Sequence, residues 1–398
     1  MELKDVVVIS YARTPIGAFG GGFKFTPVWE LGAAAIREAV RRAGIGPDQV
    51  DEVYFGNTRQ AGNGPNPPRT AAVKGGIPET VNVCSLTMAC PSGMKALILA
   101  ALTLQTGENR RSVVIGGQES MSTIPYLLKD IRWEGTKLGD RVLMDGWNDT
   151  TDPLCDMGMG QTAENLAEIY GIPREEQDQW AVESNRKAWA AKEAGYLARE
   201  IVPVEVPARS KREPGYTVAE DENLRSDTTP EVLAKLRPVF KEGGTVTAGN
   251  ASKMGDGGVA VVVTTREQAE VWGATPLFSL VGMVSTAVDP ARMGEGPGVA
   301  IKMALDKTGM SLGDMDLIEV NEAFAVQCLT NERQLGWDRS KVNVFGGAVA
   351  LGHPTGVSGA RIVGTLDNAL RTLDKELGVA AICGGGGVTT AMIIKRES

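Results

Sequence analysis

The chain has a single histidine in 398 residues. Imidazole is the side chain whose unperturbed proton affinity lies closest to neutral pH, so any histidine-dependent chemistry must take place at His353. The same scarcity excludes the common zinc sets, which draw on several histidines or on C-x-x-C pairs. The five cysteines (Cys84, Cys90, Cys155, Cys328 and Cys383) form no such pair, and a metal enzyme is not expected. No apolar run is long enough to cross a membrane, so no membrane partner is expected. Basic charge is also short. There are 41 Lys and Arg against 49 Asp and Glu, a net charge of −8, which argues against a nucleic-acid surface. An anionic small ligand held by a local Arg and Lys cluster stays open. The opening Met-Glu-Leu-Lys-Asp-Val-Val-Val-Ile-Ser reads as a folded first strand rather than a signal peptide. With an odd cysteine count, this points to a reducing cytoplasm.

A chain of this length can bury large cores and is expected to hold more than one domain. Its 49 glycines fall largely in a few motifs, and those motifs carry the chemistry. His353 sits in Gly352-His353-Pro354-Thr355-Gly356, after Asn343-Val344-Phe345-Gly346-Gly347. Glycines there clear space for a ligand or a close backbone; the plain alternative is a core histidine bonded to backbone. Cys90 stands in Cys90-Pro91-Ser92-Gly93 at the start of an Ala/Leu-rich helix. Unpaired N–H groups at a helix N-terminus are expected to lower a thiol pKa, although a lone cysteine is commonly structural. Cys383 ends an apolar run and precedes Gly384-Gly385-Gly386-Gly387, which can aim N–H groups at a developing oxyanion or merely pack. Asn321-Glu322 closes another apolar strand. It could hold a water or orient the histidine, or simply cap a helix.

The two ends of the chain look alike. Near the front a strand ends at Gly56-Asn57. Val81-Asn82-Val83, Cys90, a helix and a strand ending in Gly116-Gly117 follow. Near the back a strand ends at Asn321. Val342-Asn343-Val344, His353, a helix from about Ser358 to Leu373 and a strand ending at Cys383 follow. This reads as an internal duplication of one α/β unit. Each copy suggests a mostly parallel sheet under helices, with Cys90 and His353 at equivalent strand-to-helix turns, where open α/β sheets place ligands. The polar stretch between the copies reads as an insertion. It includes a capped helix at Gln161 and a strand entering a basic loop at Arg209, Lys211 and Arg212.

Taken together, these pieces resemble the thiolase family of acyl-CoA acetyltransferases. The resemblance is carried by residues 343–359, Asn321-Glu322-Ala323-Phe324-Ala325, Cys383 with its glycines, Thr247-Ala248-Gly249-Asn250-Ala251-Ser252, Tyr11-Ala12-Arg13-Thr14-Pro15-Ile16-Gly17 and residues 234–240. It implies an α/β thiolase fold, two duplicated αβαβα halves forming a five-layered core, with an inserted loop domain. The expected divisions are residues 1–120 completed by about 242–270, an insertion at 121–241 that binds coenzyme A, and 271–398. It also implies ping-pong transfer through an acyl-cysteine. Cys90 would be the nucleophile, His353 its base, and Cys383 the acid and base at the α-carbon. Asn321 would position a water, and the N–H groups of Cys90 and Gly385 would form an oxyanion hole. Arg225 matches a position near the coenzyme A nucleotide and Ser252 one on the pantetheine arm. Met159, Met293, Ala323 and Phe324 are further expected contacts. Coenzyme A and acyl-CoA would be substrates and products, with no tightly bound cofactor. Residues 121–147 resemble a subunit-contact segment, which implies a homodimer or homotetramer.

The sequence departs from the family pattern at several points. Pro91 follows the nucleophile, where the family usually has a small residue. Gly384 follows Cys383 in place of an apolar residue, and Thr389 replaces a glycine. Lys253-Met254-Gly255-Asp256 follows Ser252 where the family more often has glycine, a small or apolar residue, then Asn-Asp. The Cys155–Met159 stretch lacks the histidine of acetoacetyl-specific members, so longer 3-ketoacyl chains compete with acetoacetyl-CoA as substrate. Ketoacyl synthases share the fold but use two histidines, and 3-hydroxy-3-methylglutaryl-CoA synthases use a glutamate base. Non-catalytic lipid-binding relatives tend to lose the reactive residues retained here.

Overall fold

The computed structural model describes residues 4–106, 110–133, 135, 138–147 and 151–397. The principal elements of the first half are β1 (Val6–Arg13), α1 (Val28–Ala43), β2 (Glu52–Gly56), α2 (Pro67–Lys74), β3 (Asn82–Leu86), α3 (Ser92–Gln105) and β4 (Ser112–Ser120). The middle supplies α4 (Met159–Tyr170), α5 (Arg174–Glu193) and a hairpin of Val204–Val206 with Tyr216–Val218. The remainder is β5 (Gly255–Thr265), β6 (Phe278–Ala287), α6 (Gly296–Thr308), β7 (Leu317–Val320), α7 (Ala325–Leu335), α8 (Thr355–Thr372), β8 (Leu377–Cys383) and β9 (Val388–Arg396).

The strands pair in the order β7-β8-β9-β6-β1-β5-β4-β2-β3. Only Val7↔Ser279 and Val8↔Phe278 link β1 to β6, so the ribbon consists of two sheets touching at their edges. Read outward from that seam, each half repeats the other. β1, β5, β4, β2 and β3 match β6, β9, β8, β7 and a single bridge of Val342 to Ile318. The duplication expected from the sequence is therefore visible in the strand order.

One expectation needs correcting. The sheets are mixed rather than mostly parallel. β2 runs parallel to β3 and β4, but β5 and β1 add antiparallel, as β9 and β6 do in the second half. Residues 384–387 are all that separates β8 from β9, and so short a link cannot make a parallel crossover.

Period-2 alternation along the strands sorts side chains into layers. Val259, Val261 and Val263 of β5 face α3 and α8, while Ala260 and Val262 face α1. In the second half Ala380 and Ile382 face inward, and Val379 and Ala381 face the layer of α6 and α7. The result is five layers, with α3 and α8 in the middle. A helix enclosed by two sheets must be apolar, small or internally paired all round, and α8 is buried along nearly its whole length, with Arg361 paired to Glu319 and Asn368 to Glu200. It starts at Thr355, ahead of the expected Ser358, because Pro354 presets φ at −67° and Glu119 takes up the Gly356 N–H.

Candidate active site

Cys90 lies just before α3 and His353 just before α8. The two helices cross at glycines near those ends. A Cβ on Gly93 would fall 2.7 Å from the Ala360 nitrogen, and one on Gly359 would fall 2.6 Å from the Met94 nitrogen. Only hydrogen fits at such a contact. Gly56, at the end of β2, and Gly117, within β4, press in the same way on the Gly356 carbonyl. The small residues of these motifs thus bring the two helix starts to one place.

The nucleophile turn is strained, with Ala89 at φ 50°. The backbone N–H groups of Cys90 and Gly385 are near enough to the Cys90 sulfur to favour its charged form. Gly385 sits in the turn after Cys383, which Asp152 pins by accepting the Gly386 N–H at 2.8 Å. The expected lowering of the Cys90 pKa is not found. Burial pushes the thiol up to about 12; the two N–H groups and Arg59 oppose this, and Glu119 adds to it. Cys90 keeps an intermediate exposure, so water tempers the push until a substrate covers the sulfur. Cys383 is 1% exposed. Its thiol is raised by burial first and then by Cys90, and a Cβ on Gly384, the next residue, would fall 3.2 Å from the Cys90 nitrogen, so the two cysteines lie in neighbouring turns. Both are held as neutral thiols.

His353 Nδ1 lies 2.6 Å from Ser358 Oγ, and Ser358 Oγ donates to the Pro354 carbonyl at 3.1 Å. With that hydroxyl proton committed, the network assigns the ring proton to Nδ1 and leaves a lone pair on Nε2. Nε2 is buried and has no partner. Burial, and then Arg361, lowers the imidazole pKa to about 3, so the ring is a neutral acceptor across the working range. Asn321 is fully buried, and both its amide atoms lack partners. It caps no helix, since α7 begins at Ala325 behind Phe324.

Backbone bonds lace these parts together. Asn321 N–H donates to Ala381 on the Cys383 strand, Ser252 N–H to Ala323, and His353 N–H to Lys253. Buried polar atoms without partners are rare and costly, about 1–3 kcal/mol each. His353 Nε2 and the Asn321 amide therefore mark a place for a water or a substrate carbonyl.

Of two carboxylates that organise the site, Glu119 was missed from the sequence and Glu322 was read only as a partner of Asn321 that could hold a water or orient the histidine. Glu119 closes β4, fully buried, and accepts from Asn57 Nδ2, Thr58 N, Thr58 Oγ1, Arg59 N, Thr355 Oγ1 and Gly356 N. It fastens the start of α8, and so His353, to the first half. Glu322 accepts from Trp180, Ser184, Asn343 and the Val349 N–H, tying α5 to the turn before His353. The available signal was an acid at the buried end of an otherwise apolar strand, where carboxylates stand only when fully bonded.

The expected coenzyme A contacts divide into two groups. Met159 lies over the Gly385 turn, its sulfur 3.2 Å from where a Gly385 Cβ would be. Met293, Ala323 and Phe324 share an apolar cluster with Cys383, and the Phe324 ring meets Phe240 edge-on at 6.2 Å. Arg225 stands apart, lining a cleft of about 550 Å³ with Trp189, Asn223 and Ser226. Lys253 connects the two groups. Its Nζ donates to the Asn223 carbonyl at 2.7 Å, and burial followed by Arg225 pushes its pKa down to about 8. Ser252, next along, joins the inner group through its bond to Ala323.

A thiol at the start of α3, a neutral imidazole acceptor at the start of the crossing helix α8 and a second thiol in the turn beside Cys90 are the parts needed to accept an acyl group and move a proton at carbon. Among the described residues, no three His, Cys, Asp or Glu side chains are grouped to hold a metal ion, and no helix is long and apolar enough to cross a membrane. The family profile described as "Thiolase, N-terminal domain" matches residues 6–267, and "Thiolase, C-terminal domain" matches residues 274–396. The Escherichia coli protein named acetyl-CoA acetyltransferase is 46% identical, covering 99% of this chain and 100% of its own. The Bacillus anthracis acetyl-CoA acetyltransferase structure superposes with a TM-score of 0.96 at 43% identity, covering 100% of both chains. Human mitochondrial 3-ketoacyl-CoA thiolase in complex with CoA does so at 0.94 and 41%, again covering 100% of both.

Proposed function

The chain belongs to the thiolase family and is an acyltransferase, and on that footing we propose how its own residues perform reversible Claisen condensation of acetyl-CoA with acyl-CoA, or thiolysis of 3-ketoacyl-CoA. The observation that supports the reading is that His353 Nε2 and the Asn321 amide are buried without partners, while Cys90 and Cys383 are both held as neutral thiols.

In the condensation direction, His353 Nε2 takes the Cys90 proton as the sulfur attacks the acetyl-CoA carbonyl. The N–H groups of Cys90 and Gly385 hold the resulting oxyanion; losing one such donor typically costs about 10²–10³ in rate. Cys383, a thiol at rest, can act only as an acid first. It gives its proton to the departing coenzyme A sulfur. The thiolate left behind takes the α-proton of acetyl-CoA as the second substrate, and the carbanion attacks the carbonyl of the acyl group on Cys90, which is acetyl when acetoacetyl-CoA is the product. Cys90 then leaves and recovers its proton from His353. Asn321 and His353, through a shared water, stabilise the enolate. Thiolysis runs the same steps backward.

We further propose the three-part organisation given above, with residues 121–241 receiving coenzyme A. The nucleotide would lie at Arg225 and the pantetheine arm at Ser252, along Met159, Met293, Ala323 and Phe324. The Arg225 cleft and its link to Ser252 through Lys253 support this. A homodimer or homotetramer is supported by the exposed Trp133, Leu138, Val142 and Leu143. These lie in the 121–147 segment, of which Glu134, Thr136 and Lys137 fall outside the described residues. Five free cysteines are consistent with a cytoplasmic setting.

Acetoacetyl-CoA is the proposed product and substrate. A second reading, longer 3-ketoacyl chains, is favoured by the Met159 thioether over the Gly385 turn, because methionine adapts to varied apolar shapes. Initial rates of thiolysis over a series from acetoacetyl-CoA to longer 3-ketoacyl-CoA decide between them. A strict four-carbon preference refutes the second reading, and no turnover of any 3-ketoacyl-CoA refutes both.

A further inference from the structure

We propose that Pro91 and Gly384 are an interlocked pair of positioning residues. The missing side chain at 384 makes room for the proline ring at 91, and together they set the spacing between the nucleophile turn and the Gly385 N–H. This rests on the acyl-transfer reading above and adds residues that have no role in it. Both are departures from the family pattern, and they lie on separate motifs of the two halves.

Gly384 is extended, at φ −150° and ψ 163°, a conformation any residue adopts, so the backbone does not call for glycine there. The demand is steric. A Cβ on Gly384 would fall 2.5 Å from Pro91 Cδ, 3.2 Å from Ala89 Cβ and 3.2 Å from the Cys90 nitrogen. Neither side can give way easily. The Pro91 ring is fixed to its backbone at φ −67°, and its carbonyl receives the Lys95 N–H at 2.9 Å to begin α3. Gly384 donates to the Val388 carbonyl at 2.8 Å and accepts from Gly387 at 3.1 Å. Carbon atoms rest about 3.5–4.0 Å apart, so an added methyl forces the turns apart by about 1 Å. Gly385, whose N–H faces the Cys90 sulfur, is the next residue and moves with Gly384. A serine at 91 removes Cδ and leaves only the 3.2 Å contacts, which small adjustments relieve. Volume has thus been exchanged across one contact, gained at 91 and given up at 384.

The test is a double-mutant cycle on the full-length enzyme, reading the rate of Cys90 acetylation by acetyl-CoA together with kcat and KM. Gly384→Ala is expected to slow acetylation about 100-fold, the usual effect of a 1 Å misplacement, with KM for CoA nearly unchanged. Pro91→Ser alone is expected to cost less than about tenfold, because a void is milder than a clash. The pair Pro91→Ser/Gly384→Ala is expected to return to the level of Pro91→Ser. Where Gly384→Ala alone yields no folded protein, recovery of soluble, acetylated enzyme in the double variant carries the same meaning. The interlock is overturned if Gly384→Ala acetylates at the wild-type rate, or if the double variant is no better than Gly384→Ala. Failure of the wild-type enzyme to be acetylated would instead overturn the functional reading.

Discussion

Replacing Glu119 by glutamine tests the claim that one buried carboxylate holds the histidine turn in place. Oε1 accepts from Asn57 Nδ2 at 2.9 Å and Arg59 N at 3.0 Å. Oε2 accepts from Thr58 N at 3.1 Å, Thr355 Oγ1 at 2.8 Å, Gly356 N at 2.9 Å and Thr58 Oγ1. Every neighbour donates, so a glutamine NH₂ must face donors whichever way it turns. Its less harmful orientation puts NH₂ at Oε1 and loses two bonds. Net contributions of about 1.5–3 kcal/mol for bonds to a charged group give a loss of about 3–6 kcal/mol. That is a large part of a typical total stability of about 5–15 kcal/mol. The freed N–H groups, on Asn57 and Arg59, flank Thr58, whose hydroxyl bonds Thr355 at the start of α8, so the position of His353 loosens as well. Denaturant unfolding gives the stability change, and the rate of Cys90 acetylation gives the functional one. A variant within about 1 kcal/mol of wild type, the worth of a single ordinary bond, with unchanged acetylation would refute the reasoning.

Two further outcomes follow from the same geometry. Cys383→Ser spares acetyl loading, because a thiolate leaves without an acid, but slows carbon–carbon formation by about 10²–10⁴-fold, the usual contribution of a general base; normal condensation kinetics would remove Cys383 from its assigned role. In a pH series, His353 with its pKa lowered to about 3 stays in the base form from pH 8 down to pH 5, so acetylation is nearly flat across that range. An imidazole at the ordinary value of 6.5 would lose about 30-fold over the same interval, and a fall of that size would show that His353 titrates normally.

Much of the site could be read from the sequence because its chemistry depends on scarce residue types. A lone histidine among glycines, a cysteine at the start of an apolar helix and another at the end of an apolar run narrow the candidates before any fold is known. The duplication was legible too, since equal order of strand, turn and helix survives where residue identity has faded. Burial was not legible. The helix start suggested an acidified Cys90, yet taking the sulfur out of water outweighs the two N–H groups that face it. Glu119, and the bonding role of Glu322, were hidden because a carboxylate declares itself structural only when its donors, which come from remote segments, are in place. The parallel bias of the sheets was overread because the tight β8–β9 link was taken for a ligand loop alone. Pro91 and Gly384 stood out separately as departures. Only their contact shows that each accommodates the other.

The account's central claim is that Cys90, with its sulfur beside Cys383 and two backbone N–H groups, accepts an acyl group. Brief incubation with acetyl-CoA followed by peptide mass spectrometry tests this most directly. One acetyl group on Cys90, removed by added coenzyme A and missing from Cys90→Ala, is the predicted result. An unmodified Cys90, or an acetyl group that settles on another residue while Cys90 stays free, would contradict it.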